Sequence, residues 1–496
     1  MAVVYTSEMK RAATISILIA LAGLLCLAGD DVQQRLVGRA FGPTPLLQDL
    51  QELCDRIGGR PTGSPACDRA TEWAAARFKA ASVTSVALEP FTVPQSWAAE
   101  SAEAECLSPE RFSIRLAAAP YSESTKGQVE ARLVDAGDGS ADGFSKLGEK
   151  ARGAIALVSS HEMKTLDDLF GEYMRSPALL EAARKAGVAA LLLQSTRPRG
   201  LLYRHPLTLA NQPLAVPAAI VSREQAARLA RLAAAGEVRV RLRLSNKTGG
   251  AFESRNVVAE IRGGELPDEV VVLGAHLDSW DLGTGAEDNG VNAAMVIDAA
   301  RAIAQLPVKP RRTIRFVLFN GEEQGMYGSA GYVQRHAREI AKHRAAVIFD
   351  TGSGRTTGFF LNGREDLRQP LERALAGVAG LEASENPPDA IDGTDNLDFL
   401  LSGVPNLVAN QDAAPYLPDY HAESDTFDRV NAREAKANAA VASALIWGLA
   451  ESPEPFGKRL SRDEVQKLLI DTKLDVQMKA FGQWDDWQSN RRGVSR

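Results

Sequence analysis

The chain has 496 residues, of which 45% are hydrophobic and 24% are charged, and its formal net charge is −6. This composition is ordinary for a globular protein and excludes a disordered chain, and the length corresponds to about two to four structural units. No basic patch stands out along the sequence, so we expect no nucleic-acid partner.

The first 29 residues predict a secretory signal peptide. Lys10 and Arg11 precede an apolar run over residues 12–27, and small residues follow at its end. This order is typical of a cleaved export signal, so we expect a secreted or periplasmic protein with no stable membrane association after cleavage. An uncleaved membrane anchor is the alternative, although the apolar run is slightly short for a membrane span.

Three regions are expected after the signal: a discontinuous larger domain (32–111 and 247–455), a smaller inserted α/β domain (112–246) and a C-terminal extension (456–496). Short apolar runs in the insert predict buried strands at 154–158, 188–193 and 216–221, with helices at 178–186 and 223–233. The extension is charged, and Ser461 with Glu464 three residues later predicts the start of a helix. We expect this extension to be a surface appendage.

The larger domain alternates between strands and helices. Near-continuous apolar runs predict strands at 270–273, 313–319, 345–349 and 404–409. Such runs are typical of strands buried on both faces, because helices cover the sheet on each side. The sequence therefore predicts an α/β fold in which a central mixed, mostly parallel sheet is flanked by helices.

Two histidines and four acidic residues lie just past the predicted strand ends or in the loops between them: His276, Asp288, Glu322, Glu323, Asp350 and His421. Because ligands bind beyond the carboxyl ends of strands in open α/β sheets, we expect these side chains to face one crevice. Imidazole nitrogen and carboxylate oxygen suit zinc. Two ions that share a bridging carboxylate would need two histidines and three acids, which leaves Glu322 as a proton acceptor.

The motifs around these residues resemble the co-catalytic zinc exopeptidases, a family that includes leucyl aminopeptidases and glutamate carboxypeptidases. The resemblance rests on the stretches 58–64, 276–290, 320–325 and 393–395. It extends over about residues 47–449 and is strongest to the plasma glutamate carboxypeptidase branch. It implies a zinc-exopeptidase fold and a peptide hydrolase of the aminopeptidase or dipeptidase type.

The resemblance also implies two Zn²⁺ ions per chain and a role for each ligand. Asp288 would bridge the ions, His276 and Asp350 would complete one site, and Glu323 and His421 would complete the other. A cis peptide bond is expected after the bridging residue.

Further roles follow from the same resemblance. Glu322 would be the catalytic general base, and Asp278 and Asp425 would orient the two histidines. Tyr416 and Tyr420 lie near His421 in the sequence and are candidates for stabilising an oxyanion. Trp280 either lines the pocket or packs beneath it.

The 112–246 insert resembles a protease-associated domain, which lies beside the active site in related peptidases and limits substrate size. We therefore predict a secreted zinc exopeptidase that hydrolyses dipeptides or other short peptides. The sequence leaves open which free end of the peptide is recognised. The resemblance suggests a homodimer, whereas the residues themselves leave the oligomeric state open.

Two other functions remain as alternatives: a non-catalytic binding or receptor protein on the same fold, and an acyl transferase of the glutaminyl cyclase type. The complete ligand set argues against the first, and the insert argues against the second.

Cys54 and Cys67 either form a disulfide or, with Cys106, are buried thiols. The remaining histidines are expected at the surface or with satisfied partners: His161, His205, His336 and His343.

Overall fold

A computed structural model describes residues 32–208 and 212–494. Its helices are α1 (32–41), α2 (Leu46–Glu52), α3 (Pro65–Ala80), α4 (Ala141–Leu147), α5 (Leu166–Ala186), α6 (Arg223–Ala235), α7 (Val291–Ala304), α8 (Tyr327–Arg335), α9 (Arg368–Ala374), α10 (Leu397–Leu401), α11 (Ala432–Glu451), α12 (Arg462–Asp471), α13 (Leu474–Ala480) and α14 (Gln483–Gln488). The expected signal peptide lies outside the described residues.

The strands form two sheets. Their bounds are β1 (Ser85–Val93), β2 (Ser96–Ser108), β3 (Phe112–Ile114), β4 (Leu116–Ala118), β5 (Val129–Asp135), β6 (Ile155–Val158), β7 (Ala190–Gln194), β8 (Ala218–Val221), β9 (Val238–Gly249), β10 (Phe252–Ile261), β11 (Leu266–His276), β12 (Arg312–Phe319), β13 (His343–Ile348), β14 (Thr356–Phe360) and β15 (Asn406–Gln411).

The larger domain is built on a seven-stranded mixed sheet with the order β1-β10-β12-β11-β13-β15-β14. The four strands β12, β11, β13 and β15 run parallel to their neighbours in this group, while β10, β1 and β14 pair antiparallel at the edges. The predicted α/β class with a mixed, mostly parallel sheet is therefore confirmed. Parallel strands end at the same edge of the sheet, so the residues that follow them are brought together.

The apolar runs of the sheet are buried on both faces, as their pattern predicts. Along β11, Val271 and Leu273 belong to the core that packs against α7 and α11, whereas Val270 and Val272 belong to the core on the opposite face. The alternation follows from the two-residue period of a strand. A continuous run of Val and Leu is therefore buried on each side of the sheet.

The second sheet has eight strands in the order β3-β2-β9-β5-β6-β7-β8-β4. The strands β5, β6, β7 and β8 run parallel, with α4 and α5 between them in the chain. The long strand β2 pairs with β9 over residues 96–108, so this sheet begins earlier in the chain than the expected insert boundary at residue 112. β1 and β2 are consecutive in the chain, so the chain continues directly from the seven-stranded sheet into the eight-stranded one.

The C-terminal extension is part of the core, so the expectation of a surface appendage is wrong. The capping box of Ser461 and Glu464 is present and begins α12. Leu469 and Trp487 are fully buried in one cluster with Leu397 of α10. The sequence does not predict this role, because the few apolar residues of the three short helices are separated by charged residues and show no clear helical periodicity.

The three described cysteines, Cys54, Cys67 and Cys106, are buried free thiols, so the structure favours thiols over a Cys54–Cys67 disulfide. Burial raises the pKa of Cys54 to about 11 and that of Cys67 to about 12. Over residues 32–208 and 212–494, helices long and apolar enough to span a membrane are absent.

Candidate metal centre

The predicted site residues converge at the carboxyl edge of the seven-stranded sheet. His276 is the last residue of β11, Glu322 and Glu323 follow β12, and Asp350 follows β13. A short turn between β11 and α7, Ala286–Gly290, carries Asp288, whose backbone angles are not helical. The loop after β15 carries His421. The parallel order of these strands brings together residues that are about 150 positions apart in the chain.

Asp288 lies between the two histidines. Its Oδ1 is 3.2 Å from Nε2 of His276, and its Oδ2 is 3.3 Å from Nε2 of His421. The peptide bond that follows, to Asn289, is cis, as the resemblance implies. One carboxylate therefore faces both imidazoles, which is the arrangement that a bridging ligand requires.

Each histidine faces a second carboxylate of its own. Nε2 of His276 is 2.8 Å from Oδ1 of Asp350, and Nε2 of His421 is 2.8 Å from Oε2 of Glu323. Single ligand atoms of His276, Asp288 and Glu323 lie within 4.8 Å of one another. The five residues thus divide into two groups of three that share Asp288.

The polar atoms of this cluster fit a bound cation. Among the buried oxygens that have no hydrogen-bond partner in the described part of the chain are Oδ2 of Asp288, Oε1 of Glu323 and Oδ1 of Asp350. Buried polar atoms are normally satisfied, so these three oxygens need an explanation. Imidazole nitrogens and carboxylate oxygens are a zinc donor set, and a divalent cation would satisfy these oxygens.

The charges of the cluster are strongly coupled. Burial raises the pKa of Glu322, Glu323 and Asp350. Burial alone would lower the pKa of His276, but the nearby carboxylates of Asp350 and Glu322 outweigh it and raise this pKa well above its usual value. Burial lowers the pKa of His421 to about 4. A cation would stabilise the charged carboxylates that burial alone disfavours.

Glu322 lies beside the five ligand candidates and is turned toward one end of the cluster. Its Oε2 is 4.0 Å from Nε2 of His276. The carboxylate of Asp278 fixes the loop that carries it: Oδ2 accepts hydrogen bonds from the hydroxyl of Thr62 at 2.8 Å and from the amide of Gly321 at 3.0 Å. Thr62 belongs to the 58–64 stretch, in which no local feature distinguishes it from its neighbours.

The structure shows only part of the orienting roles that are expected for Asp278 and Asp425. Nδ1 of His276 is 3.0 Å from the main-chain oxygen of Asp278 and 3.6 Å from its carboxylate. Asp425, however, accepts hydrogen bonds from the amides of Glu287 at 2.6 Å and Asp288 at 3.1 Å. The partner of His421 Nδ1 is instead the carbonyl of Arg204, at 2.9 Å. The interpretation of Asp425 as the residue that orients His421 is therefore corrected.

The cavity above the cluster is lined by three parts of the chain. The larger domain contributes the six central residues with Tyr416 and Tyr420, α5 contributes Leu169, Phe170 and Tyr173, and the C-terminal extension contributes Phe481. The hydroxyls of Tyr173 and Tyr420 are 2.8 Å apart, and the ring of Tyr420 stacks on His421 with centroids 3.7 Å apart. Sequence analysis missed Tyr173 and Phe481, because nothing local distinguishes one aromatic residue in a helix from another.

Trp280 packs beneath the site rather than lining this cavity: it is buried, and its ring meets the edge of His421.

The other histidines lie outside the cluster, as expected. His161 is exposed, His336 is bonded to Glu89 and Glu339, and His343 to Tyr332. His205 differs from its expectation, because it is fully buried and both ring nitrogens lack a hydrogen-bond partner among the described residues.

Comparison with known proteins defines the class. Residues 256–446 match the profile of peptidase family M28. The fold is similar to that of a peptidase M28 precursor from Shewanella amazonensis SB2B, with a TM-score of 0.79 and 28% identity over 88% of this chain and 99% of that one. The chain is a metallo-exopeptidase that is similar to the members of peptidase family M28.

Within that class, the chain is similar to carboxypeptidase Q. The human protein is 28% identical over 411 residues, which are 82% of this chain and 85% of the relative. The chain also has the fold of a zinc aminopeptidase from Bacillus subtilis, with a TM-score of 0.65 and 20% identity over 82% of this chain and 94% of that one. The predicted family resemblance and enzyme class are therefore confirmed.

Proposed function

We propose that the protein is an exported dipeptidase or short-peptide exopeptidase that uses two Zn²⁺ ions. The observation that carries this proposal is the position of Asp288, whose two oxygens face His276 and His421 at 3.2 and 3.3 Å. One ion would be held by His276, Asp288 and Asp350, and the other by Glu323, Asp288 and His421. When bound, such ions supply Lewis acidity and lower the pKa of a water molecule.

The chain's own residues would move the proton. Glu322 lies next to the ligands, but its carboxylate is 4.0 Å from Nε2 of His276, whereas Asp350 and Glu323 each approach a histidine to 2.8 Å. Burial raises the pKa of the Glu322 carboxyl group. A carboxylate of raised pKa accepts a proton more readily, so Glu322 would take the proton of the attacking water and pass it to the leaving amine. The bond that forms is between the water oxygen and the peptide carbon, and the bond that breaks is the C–N bond.

The lining of the cavity favours a substrate with short, uncharged side chains. Its walls include Leu169, Phe170, Phe360 and Phe481, and Arg or Lys is absent from its described lining. A pocket lined by no arginine or lysine offers no basic side chain to pair with the side chain of a glutamate, so a glutamate preference is not supported. The walls from α5 and from the extension would limit the length of peptide that fits.

The proposed export rests on the N-terminal sequence, because the first 31 residues lie outside the description. The proposed homodimer rests on the family resemblance. Sedimentation of the purified protein and N-terminal sequencing of the exported form would test these two points directly.

The mechanism is tested with the variant Glu322→Gln and a panel of dipeptides and tripeptides. We expect kcat to fall by at least about a thousandfold while two zinc ions remain bound, because the amide has the shape of the acid but cannot accept a proton. Full activity of this variant would disprove the role of Glu322. A wild-type protein that folds but binds no metal would favour a non-catalytic binding protein, and cyclised product from an N-terminal glutamine peptide would favour an acyl transferase.

A further inference from the structure

The part of the loop that carries His421 itself is held by the domain of the second sheet. Tyr203 and Ala422 form an isolated antiparallel bridge between the two. The amide of Arg204 donates to the carbonyl of His421 at 3.0 Å, and the amide of Glu423 donates to the carbonyl of Leu202 at 3.0 Å. The segment 202–204 therefore acts as a short strand that fixes the main chain on both sides of this histidine.

The same segment orients the imidazole itself. Nδ1 of His421 lies 2.9 Å from the carbonyl oxygen of Arg204. A carbonyl can only accept a hydrogen bond, so Nδ1 must carry the proton, and Nε2 is left with its lone pair toward Asp288 and Glu323. A hydrogen bond of this kind fixes the tautomer and the ring orientation of a metal-ligating histidine.

The other histidine has no such dependence on the second domain. Nδ1 of His276 is 3.0 Å from the carbonyl oxygen of Asp278, two residues further along the same chain segment. The two halves of the candidate metal centre are therefore oriented by different structural units. One is internal to the seven-stranded sheet, and the other depends on the 202–204 segment.

The position of Arg204 depends in turn on its side chain. Nε and Nη2 donate to the two carboxylate oxygens of Asp281 at 2.7 and 2.9 Å, and Nη1 donates to the carbonyl of Ala118 at 2.6 Å. The side chain of Arg204 is 5% exposed. A paired, fork-shaped contact fixes both position and direction, and a lysine cannot reproduce it.

We propose that Arg204 is a positioning residue, through which the domain of the eight-stranded sheet sets the affinity for the ion held by Glu323 and His421. The ion held by His276 and Asp350 is independent of this contact. This inference rests on the proposed two-zinc function. It gives the inserted domain a role in building the metal centre, in addition to limiting the size of the substrate.

Zinc binding by the full-length mature protein tests the inference. Metal-free wild type, Arg204→Lys and Asp281→Asn are titrated with zinc against a chromophoric chelator, and the melting temperature of each metal-free form is recorded. His421→Ala identifies which of the two binding steps belongs to the His421 ion. Arg241→Lys is the matched control, because Arg241 also bonds two carboxylates, Glu105 and Glu130, but lies on β9.

We expect the Kd of the His421 step to rise about 10- to 100-fold in Arg204→Lys and Asp281→Asn, with the other step unchanged. We expect Arg241→Lys to bind both ions as wild type does. Equal weakening of both steps, or two unchanged steps, would overturn the inference while leaving the two-zinc function intact. If Arg204→Lys fails to fold, the milder Asp281→Asn decides the question, and a wild type that binds no zinc would overturn the proposed function itself.

Discussion

Arg492, near the end of the chain, is paired with Asp398 in the protein interior. Nη2 of Arg492 is 2.6 Å from Oδ2 of Asp398, and Asp398 is fully buried. The same guanidinium donates to the carbonyls of Gly325 at 3.0 Å and Met326 at 3.3 Å. Because Gly325 and Met326 lie in the same loop as Glu322, the extension supports the loop that carries the proposed general base.

We expect Arg492→Ala to lower the free energy of unfolding by about 3–5 kcal/mol, because it leaves the Asp398 carboxylate buried without its partner. Urea unfolding followed by fluorescence measures this loss. Replacing both residues with apolar ones, as Arg492→Met with Asp398→Leu, should recover much of it, since no buried charge is then left unpaired. A loss below about 1 kcal/mol in the single variant would show that the pair is dispensable.

Phe481 of the extension and Tyr173 of α5 meet edge to face across the cavity, with ring centroids 6.1 Å apart. We expect Phe481→Ala to open this wall of the cavity. The ratio of kcat/KM for tripeptides to kcat/KM for dipeptides, both with apolar side chains, should then rise by about tenfold or more. Steady-state kinetics on matched peptides measures the ratio. Val476→Ala, an exposed position of the same extension, is the control and should leave the ratio unchanged. An unchanged ratio in Phe481→Ala would mean that the extension does not contact substrate.

Much of the larger domain could be predicted because its signals are local. The runs around Val270, Thr313 and Ala345 are buried on both faces, so they are almost entirely apolar and identify parallel strands without further information. Parallel strands place their following residues at one edge, and this is why His276 and Asp350 could be grouped from the sequence.

The parts that could not be predicted depend on contacts between distant segments. The carbonyl of Arg204 carries no signal in the sequence, because every residue has a carbonyl and only the fold decides which one meets His421. The contact of Trp487 with α10 could not be predicted for the same reason, since the residues that Trp487 packs against come from another part of the chain. The family resemblance implies an orienting role for Asp425, yet this residue bonds main-chain amides rather than an imidazole.

The unpartnered His205 predicts a pH dependence of stability. Burial lowers the pKa of His205 to about 4, below its ordinary value of about 6.5. Between these two values the unfolded chain binds more protons than the folded one, so stability falls as the pH drops from about 6.5 to 4. The full loss from this residue is about 3 kcal/mol.

We expect His205→Leu to remove this component and to raise the melting temperature more at pH 5 than at pH 7.5, because an apolar side chain leaves no unsatisfied ring nitrogen. Thermal unfolding at both values measures the difference. His343→Leu is the contrasting variant: its ring nitrogen is 3.0 Å from the hydroxyl of Tyr332, so this change should destabilise the protein at pH 7.5. A lower melting temperature of His205→Leu at pH 5 would contradict the account of His205.

The hydrogen bonds of Asp425 predict a different metal phenotype from that of Arg204. Its two oxygens accept the amides of Glu287 and Asp288, so Asp425→Ala should release the main chain that presents the bridging carboxylate. Because the two oxygens of Asp288 face different histidines, we expect both zinc-binding steps to weaken together, by about 10- to 100-fold each. The same chelator titration measures this, with Ser424→Ala as the control, since Ser424 bonds Asp419 instead. Loss of one step alone would show that Asp425 acts on a single histidine after all.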